Sequence, residues 1–209
     1  MPNEQLHAKL IVPDTGPLIT LAAADSLDYL LYPAVPVYVP DAVLYEATVK
    51  SDALGAQSIA EWVQRHSQQV YPLVTQVFTD HLAMLGAGLR TPRDLGERAA
   101  IEAIRHTLVL AQDERAIFIT EDDRLLSGTY VVLDVDRDRA ISITTRDFLE
   151  GLEEARRINS ADDVYRRAED AGRLASRRTA LAGDHERAIA AVKRVLRRRG
   201  DDADTQRER

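Results

Sequence analysis

Lys9-Leu-Ile-Val-Pro-Asp-Thr-Gly-Pro-Leu-Ile-Thr-Leu-Ala22 decides how the rest of the chain is read. Leu10, Ile11 and Val12 form a short apolar run that stops at Pro13, Asp14, Thr15 and Gly16, and apolar residues resume at helical length with Leu18, Ile19, Leu21 and Ala22. The pattern predicts a strand, a tight turn and a helix. In an open parallel sheet, side chains at the carboxyl end of a strand face the crevice where ligands bind, which puts Asp14 at its rim. Aspartate also caps helices by accepting a backbone N–H, so this stretch alone leaves both roles open.

Working outward, the chain alternates strand and helix signals. Val35–Val39 reads as a strand, and a helix follows from Pro40 to Lys50, proline costing no hydrogen bond in a first helical turn. Glu46 lies beside the Val43/Ala47 stripe of that helix, where a carboxylate is either solvated or served by a partner or a metal. A short helix is predicted over 26–32, an amphipathic helix over 56–67 with Ile59, Trp62 and Val63 inward, an extended piece over 69–73 and a helix over 76–85. His66 and His81 lack metal-ligand spacing and read as ordinary surface or core-edge residues.

The stretch 91–110 predicts the longest helix of the first part, with Ala100, Ile101, Ile104 and Leu108 buried. Asp94 and Glu97 have the spacing of a capping box, a purely structural account of Glu97. Gly96 is a poor helix former and implies that the backbone needs room there. Ala116–Thr120 is a strand running straight into Glu121-Asp122-Asp123, where adjacent acids repel one another unless positive charge is near or the loop is fully solvated. Arg124 is one candidate for that neutralisation. Strands at 130–134 and 140–143 flank the charged turn Asp134–Asp138, and a helix over 145–157 closes the sheet. Ser160 caps a further helix with Val164, Ala168 and Ala171 on one stripe, interrupted at Gly183-Asp184; a basic helix over 185–199 and a charged tail complete the chain.

The 209 residues suffice for one ordinary core with an appendage. Their 45% hydrophobic and 29% charged content is that of a globular protein and excludes wholesale disorder. The absence of cysteine excludes disulfides, thiolate metal sites and cysteine nucleophiles, and suits a reducing cytoplasm. No stretch reads as a signal peptide or membrane span, so a cytoplasmic location is expected. Residues 1–150 carry 12 Lys and Arg against 22 Asp and Glu, a balance of −10, whereas 151–209 carry 15 against 12, a balance of +3. An acidic body is a poor electrostatic footprint for passive nucleic-acid binding, but it suits carboxylates gathered round divalent cations that themselves meet phosphates.

Asp14, Glu46, Glu97 and Asp122 come from separate segments, each at a strand end or in a following helix. With a parallel sheet and right-handed crossovers they can converge along one edge. An all-oxygen donor set suits Mg²⁺ or Mn²⁺ rather than zinc. Two such ions about 3.5 to 4 Å apart can polarise a phosphodiester, acidify the attacking water and hold the leaving oxygen. No Gly-rich phosphate loop or Walker lysine follows any strand, which counts against a nucleotide-binding protein.

The pieces Val12-Pro-Asp-Thr-Gly-Pro-Leu-Ile19, Val39-Pro-Asp-Ala-Val-Leu-Tyr-Glu46, Leu95-Gly-Glu-Arg-Ala-Ala-Ile101 and Phe118-Ile-Thr-Glu-Asp122 resemble the PIN-domain family of metal-dependent ribonucleases, which includes VapC-type toxins. The first two pieces carry most of the resemblance. It implies a three-layer α/β/α fold with a central parallel sheet and a C-terminal helical extension, divided as a PIN-like nuclease domain over 1–158, the extension over 159–200 and a disordered tail over 201–209. It makes Asp14, Glu46, Glu97 and Asp122 the metal ligands, with Thr15 and Thr120 beside them. Adjacent Asp122 and Asp123 leave the fourth ligand open by one position, with Asp113 an outside candidate. The implied function is a Mg²⁺- or Mn²⁺-dependent endoribonuclease cutting RNA, the toxin of a toxin–antitoxin pair; the alternative is a catalytically silent RNA-binding or scaffold protein. The expected partners are RNA, an antitoxin protein and a second copy of the chain. The basic last helix would pack against such a copy or partner, grip RNA, or plug the site in cis.

Overall fold

The computed structural model describes residues 7–92, 94–122, 139–179 and 185–196. The expected strand 130–134 and turn 134–138, Asp123, Arg124, Gly183-Asp184, and everything after Leu196 lie outside them. The described residues form one five-stranded sheet from β1 (His7–Pro13), β2 (Val37–Pro40), β3 (Val70–Leu73), β4 (Glu114–Thr120) and β5 (Ala140–Thr144), in the order β3-β2-β1-β4-β5. Every neighbouring pair is parallel. The chain builds outward from β1 through β2 to β3, then returns to lay β4 on the other flank of β1. Between β1 and β4 the winding therefore reverses, and that reversal opens a crevice at the strands' carboxyl ends.

Helices cover both faces, because strands apolar on both sides must be buried on both sides. Alternation along β1 and β4 divides the core. Ile11, Ile117 and Ile119 point into a large cluster with Leu18 and Leu21 of α1 (Thr15–Ala23), Val43 of α2 (Asp41–Thr48), Ile59 and Trp62 of α3 (Ala56–Arg65), Phe148 and Leu152 of α6 (Thr145–Glu154), and Val164 and Tyr165 of α7 (Ala161–Asp170). Leu10, Val12, Ala116 and Phe118 point the other way, into Ala100 and Ile101 of α5 (Leu95–Glu102) and Ile104 beyond it. A smaller cluster joins Ala42, Leu95 and Ala99 to Val77 and Phe78 of α4 (Gln76–Gly86). Each large apolar side chain buried this way contributes about 1.5–3 kcal/mol. No helix among the described residues is long and apolar enough to cross a membrane.

Several boundaries differ from the sequence reading for local reasons. The segment 91–110 is helical only from Leu95, and its last turn over Ala103–Thr107 widens to a π turn. Asp94 adopts the left-handed conformation (φ 59°, ψ 43°) and its side chain makes no capping bond, so the predicted capping box with Glu97 does not form. A capping box does form at α6, between Thr144 and Asp147. The helix expected to run from Ser160 to Gly183 stops at Asp170, and Ala171 is exposed. Gly172 (φ +93°) ends it in a Schellman motif: Arg173 N donates to Ala168 O at 2.8 Å and Gly172 N to Glu169 O at 2.8 Å. Residues 173–179 then run without regular structure, and 185–196 form a final helix, α8. Its apolar face is used within the chain, with Ala188, Val192 and Leu196 in the large cluster, so it lies on the core rather than over the acidic sheet edge. Lys193 Nζ reaches Glu154 Oε2 at 2.6 Å and His185 Nδ1 lies 2.6 Å from Asp147 Oδ1, both on α6.

Candidate active site

Asp14 closes β1 and opens α1, accepting from Thr15 N at 2.7 Å, so the two roles left open by its sequence position are both present in one residue. Its other oxygen accepts from Thr120 Oγ1 at 3.2 Å across the β1/β4 reversal. Asp14 as a whole is only 5% exposed. Burial, then the nearby charges of Glu97 and Glu46, push its pKa up to about 8, against the opposing pull of the Thr15 and Thr120 bonds.

Glu46 stands exposed on α2, and its oxygens accept from Thr15 Oγ1 at 2.9 Å and from Gly96 N at 3.3 Å. Gly96 therefore links α5 to α2, and a side chain at this position would have to move the Glu46 carboxylate aside. A Cβ there would stand 2.6 Å from Glu46 Oε2, 3.0 Å from Thr15 Oγ1 and 3.3 Å from Asp14 Oδ1. The room inferred from its poor helix propensity is room for these three side chains. Glu97 follows on the first turn of α5, its pKa raised by burial and by the charges of Glu46, Asp94 and Asp122. Asp122 stands just past β4, with its backbone N–H bonded to Thr120 Oγ1 at 3.1 Å. Thr120 thus holds the backbone of Asp122 and the carboxyl of Asp14 together.

Asp14, Glu97 and Asp122 line an open cavity of about 570 Å³ together with Thr15, Gly16 and Glu121. Glu46 does not line it but adjoins it through Thr15. Asp113 is exposed just before β4 begins, at the opposite end of that strand. Among the described residues, no group of three or more His, Asp or Glu side chains is already gathered closely enough to hold a metal ion. What the structure brings together is an edge of carboxylates with an all-oxygen character.

The sequence reading missed a second cluster on this edge. Glu121 accepts from Thr20 Oγ1 at 2.8 Å, from Thr145 Oγ1 at 2.9 Å and from Arg173 Nη2 at 3.0 Å. Arg173 Nε also donates to Thr20 Oγ1 at 3.2 Å. A positive charge for Glu121 therefore arrives from 52 residues downstream. Arg173, Leu174 and Ser176 complete the lining of the cavity. The available signal was Gly172, a helix-ending glycine that turns the chain toward the site.

The chain is thus an α/β/α domain with a parallel sheet that gathers acidic side chains, one of them buried, at the carboxyl ends of its strands beside the winding reversal. The family model described as "DUF3368: PIN domain" matches residues 10–170, and the chain belongs to the PIN-domain family. That family is one of nucleases that generally work with divalent metal ions on RNA. No curated protein and no solved structure matches the chain.

Proposed function

We propose that the chain is a Mg²⁺- or Mn²⁺-dependent endoribonuclease and the toxin of a toxin–antitoxin pair, with Asp14, Glu46, Glu97 and Asp122 as the residues that hold the ions. The observation that carries this reading is the continuous polar chain Thr120–Asp14–Thr15–Glu46–Gly96, which ties acids from β1 and α2 to the start of α5. Asp14 keeps its carboxyl buried beside Glu97 and Glu46, where ordinary folding would place an apolar or neutral group. The donor set fits hard divalent cations, which favour carboxylate oxygens. Glu46 and Glu97 have long, partly solvated side chains able to close on such an ion.

Bound ions would polarise the phosphodiester and acidify the attacking water. The chain's own residues supply the rest. Thr120 and the Thr15 N–H fix the orientation of the Asp14 carboxyl, and the Thr15 hydroxyl and Gly96 N–H fix Glu46. Asp123 is the alternative to Asp122 at the fourth position. A cysteine-free chain of this kind suits the reducing cytoplasm.

Labelled single-stranded RNA is the test substrate. Wild-type protein should cut it with Mg²⁺ or Mn²⁺, cutting should stop with chelator, and Asp14→Asn should be folded and inert. Undiminished cutting by Asp14→Asn, or an inert wild type with both metals, overturns the reading; RNA bound but never cut would favour the silent scaffold. Growth arrest on induction of the wild type but not of Asp14→Asn tests the toxin role.

A further inference from the structure

The region matched by the family model ends at residue 170, yet Arg173, Leu174 and Ser176 form one wall of the acidic cavity. This wall belongs to the chain beyond the match. Arg173 is the basic residue among those that line the cavity in the described part of the chain, opposite Asp14, Glu97, Glu121 and Asp122. Its ties to Glu121 and Thr20 engage Nη2 and Nε, fixing the guanidinium plane while Nη1 keeps its donors, and the side chain stays 26% exposed. Leu174, the next residue, is 92% exposed, an apolar side chain left in water at the rim of a charged site.

We propose that residues 173–176 are a substrate-binding wall that grips single-stranded RNA, with Arg173 on a backbone phosphate beside the scissile bond and Leu174 on the face of a neighbouring base. The inference rests on the ribonuclease reading above. An anionic strand approaching this edge meets carboxylates first, and a fixed planar cation is what lets a phosphate settle there; arginine does this through its donor fork. The Glu121 bond serves to hold that fork at the rim. A base has an apolar face available to every sequence, and an exposed leucine can bury part of its own surface against it, a sequence-tolerant contact driven by apolar burial. Arg173 is thus a binding residue and Glu121 a positioning residue that acts through it.

Binding is measured by fluorescence anisotropy of a fluorescein-labelled single-stranded RNA on the full-length Asp14→Asn background with Mg²⁺, and turnover on the otherwise wild-type chain. Arg173→Gln should weaken binding about tenfold and lower the salt slope by roughly 0.7, raising KM far more than it lowers kcat. Arg173→Lys should recover part of the affinity. Leu174→Ala, at a position too exposed to matter for folding, should weaken binding about threefold. Unchanged affinity and KM in both Arg173→Gln and Leu174→Ala overturns the proposal, and so does faster cutting by Arg173→Gln, which would make the segment an inhibitory strap. If the wild type binds RNA through Arg173 and Leu174 but cuts nothing with either metal, the wall stands and the nuclease reading fails.

Discussion

Glu121 and Asp14 stand on neighbouring strands of the same sheet edge, and their charges are met in opposite ways. Glu121 receives two threonine hydroxyls and a guanidinium, so its charge is used within the fold. Asp14 receives one hydroxyl and one backbone N–H and shares its corner with Glu97 and Glu46, so its charge is opposed by the fold. Removing one partner from the first arrangement strands a charge and costs stability, whereas neutralising the carboxylate of the second relieves a cost already present. Stability sacrificed at a buried carboxylate marks a place kept for a ligand.

Neutralising each acid in turn separates the two roles. Asp14→Asn should abolish cleavage and at the same time stabilise the metal-free protein. The sign follows from proton uptake. The Asp14 carboxyl titrates near pH 8 in the folded chain and near its ordinary 3.8 when unfolded. The folded state therefore holds more protons across that interval, and its stability is present below pH 4 and falls as pH rises toward 8. Asp14→Asn should remove this slope and raise Tm at pH 8 by roughly 5–10 °C, read by calorimetry between pH 5 and 8. An unchanged or lowered Tm contradicts the contrast.

Gly96→Ala comes next. Its Cβ would push the Glu46 carboxylate aside and crowd Thr15 at the distances given above, so activity should fall about 10- to 100-fold, with little loss of stability in chemical denaturation because the atom displaced is the end of a flexible, exposed side chain. Near-wild-type activity would show that Glu46 need not stay where it is. Thr120→Val removes the hydroxyl shared by Asp14 and Asp122, and kcat should drop about tenfold with little change in fold by circular dichroism. Glu121→Gln should leave kcat within a few-fold of wild type yet destabilise by about 1–3 kcal/mol, since it strands Arg173 beside Thr20. The opposite stability signs of Asp14→Asn and Glu121→Gln sharpen the comparison further than either alone.

Much of this edge was legible from residues 9–22 outward because local signals and tertiary context agree there. A β-rich run ending in Pro-Asp-Thr-Gly folds as a strand and a helix cap, and the same logic placed Glu46 and Asp122. The parallel sheet with helices on both faces was implied by the resemblance to the PIN-domain family, and the alternation of strand and helix signals agrees with it. Glu97 was harder, since its spacing from Asp94 imitates a capping box; the left-handed backbone of Asp94, set by how the chain enters α5, cancels that alternative. Arg173 was not legible. A basic residue far along the chain carries no signal of which acid it will meet until Gly172 turns the chain. The last helix shows the same limit, because amphipathic spacing announces a buried face but not whether that face lies on its own core or on a partner.

The account turns on acids that gather at the carboxyl edge to hold hard divalent ions. Crystals of the wild-type chain grown with Mn²⁺ test it most directly through anomalous scattering. A manganese peak is expected in the cavity beside Asp14, within ligating distance of its carboxyl and of at least one of Glu46, Glu97 and Asp122, and lost in Asp14→Asn. A cavity without manganese at millimolar concentrations, or a peak held only by residues away from Asp14, would contradict it.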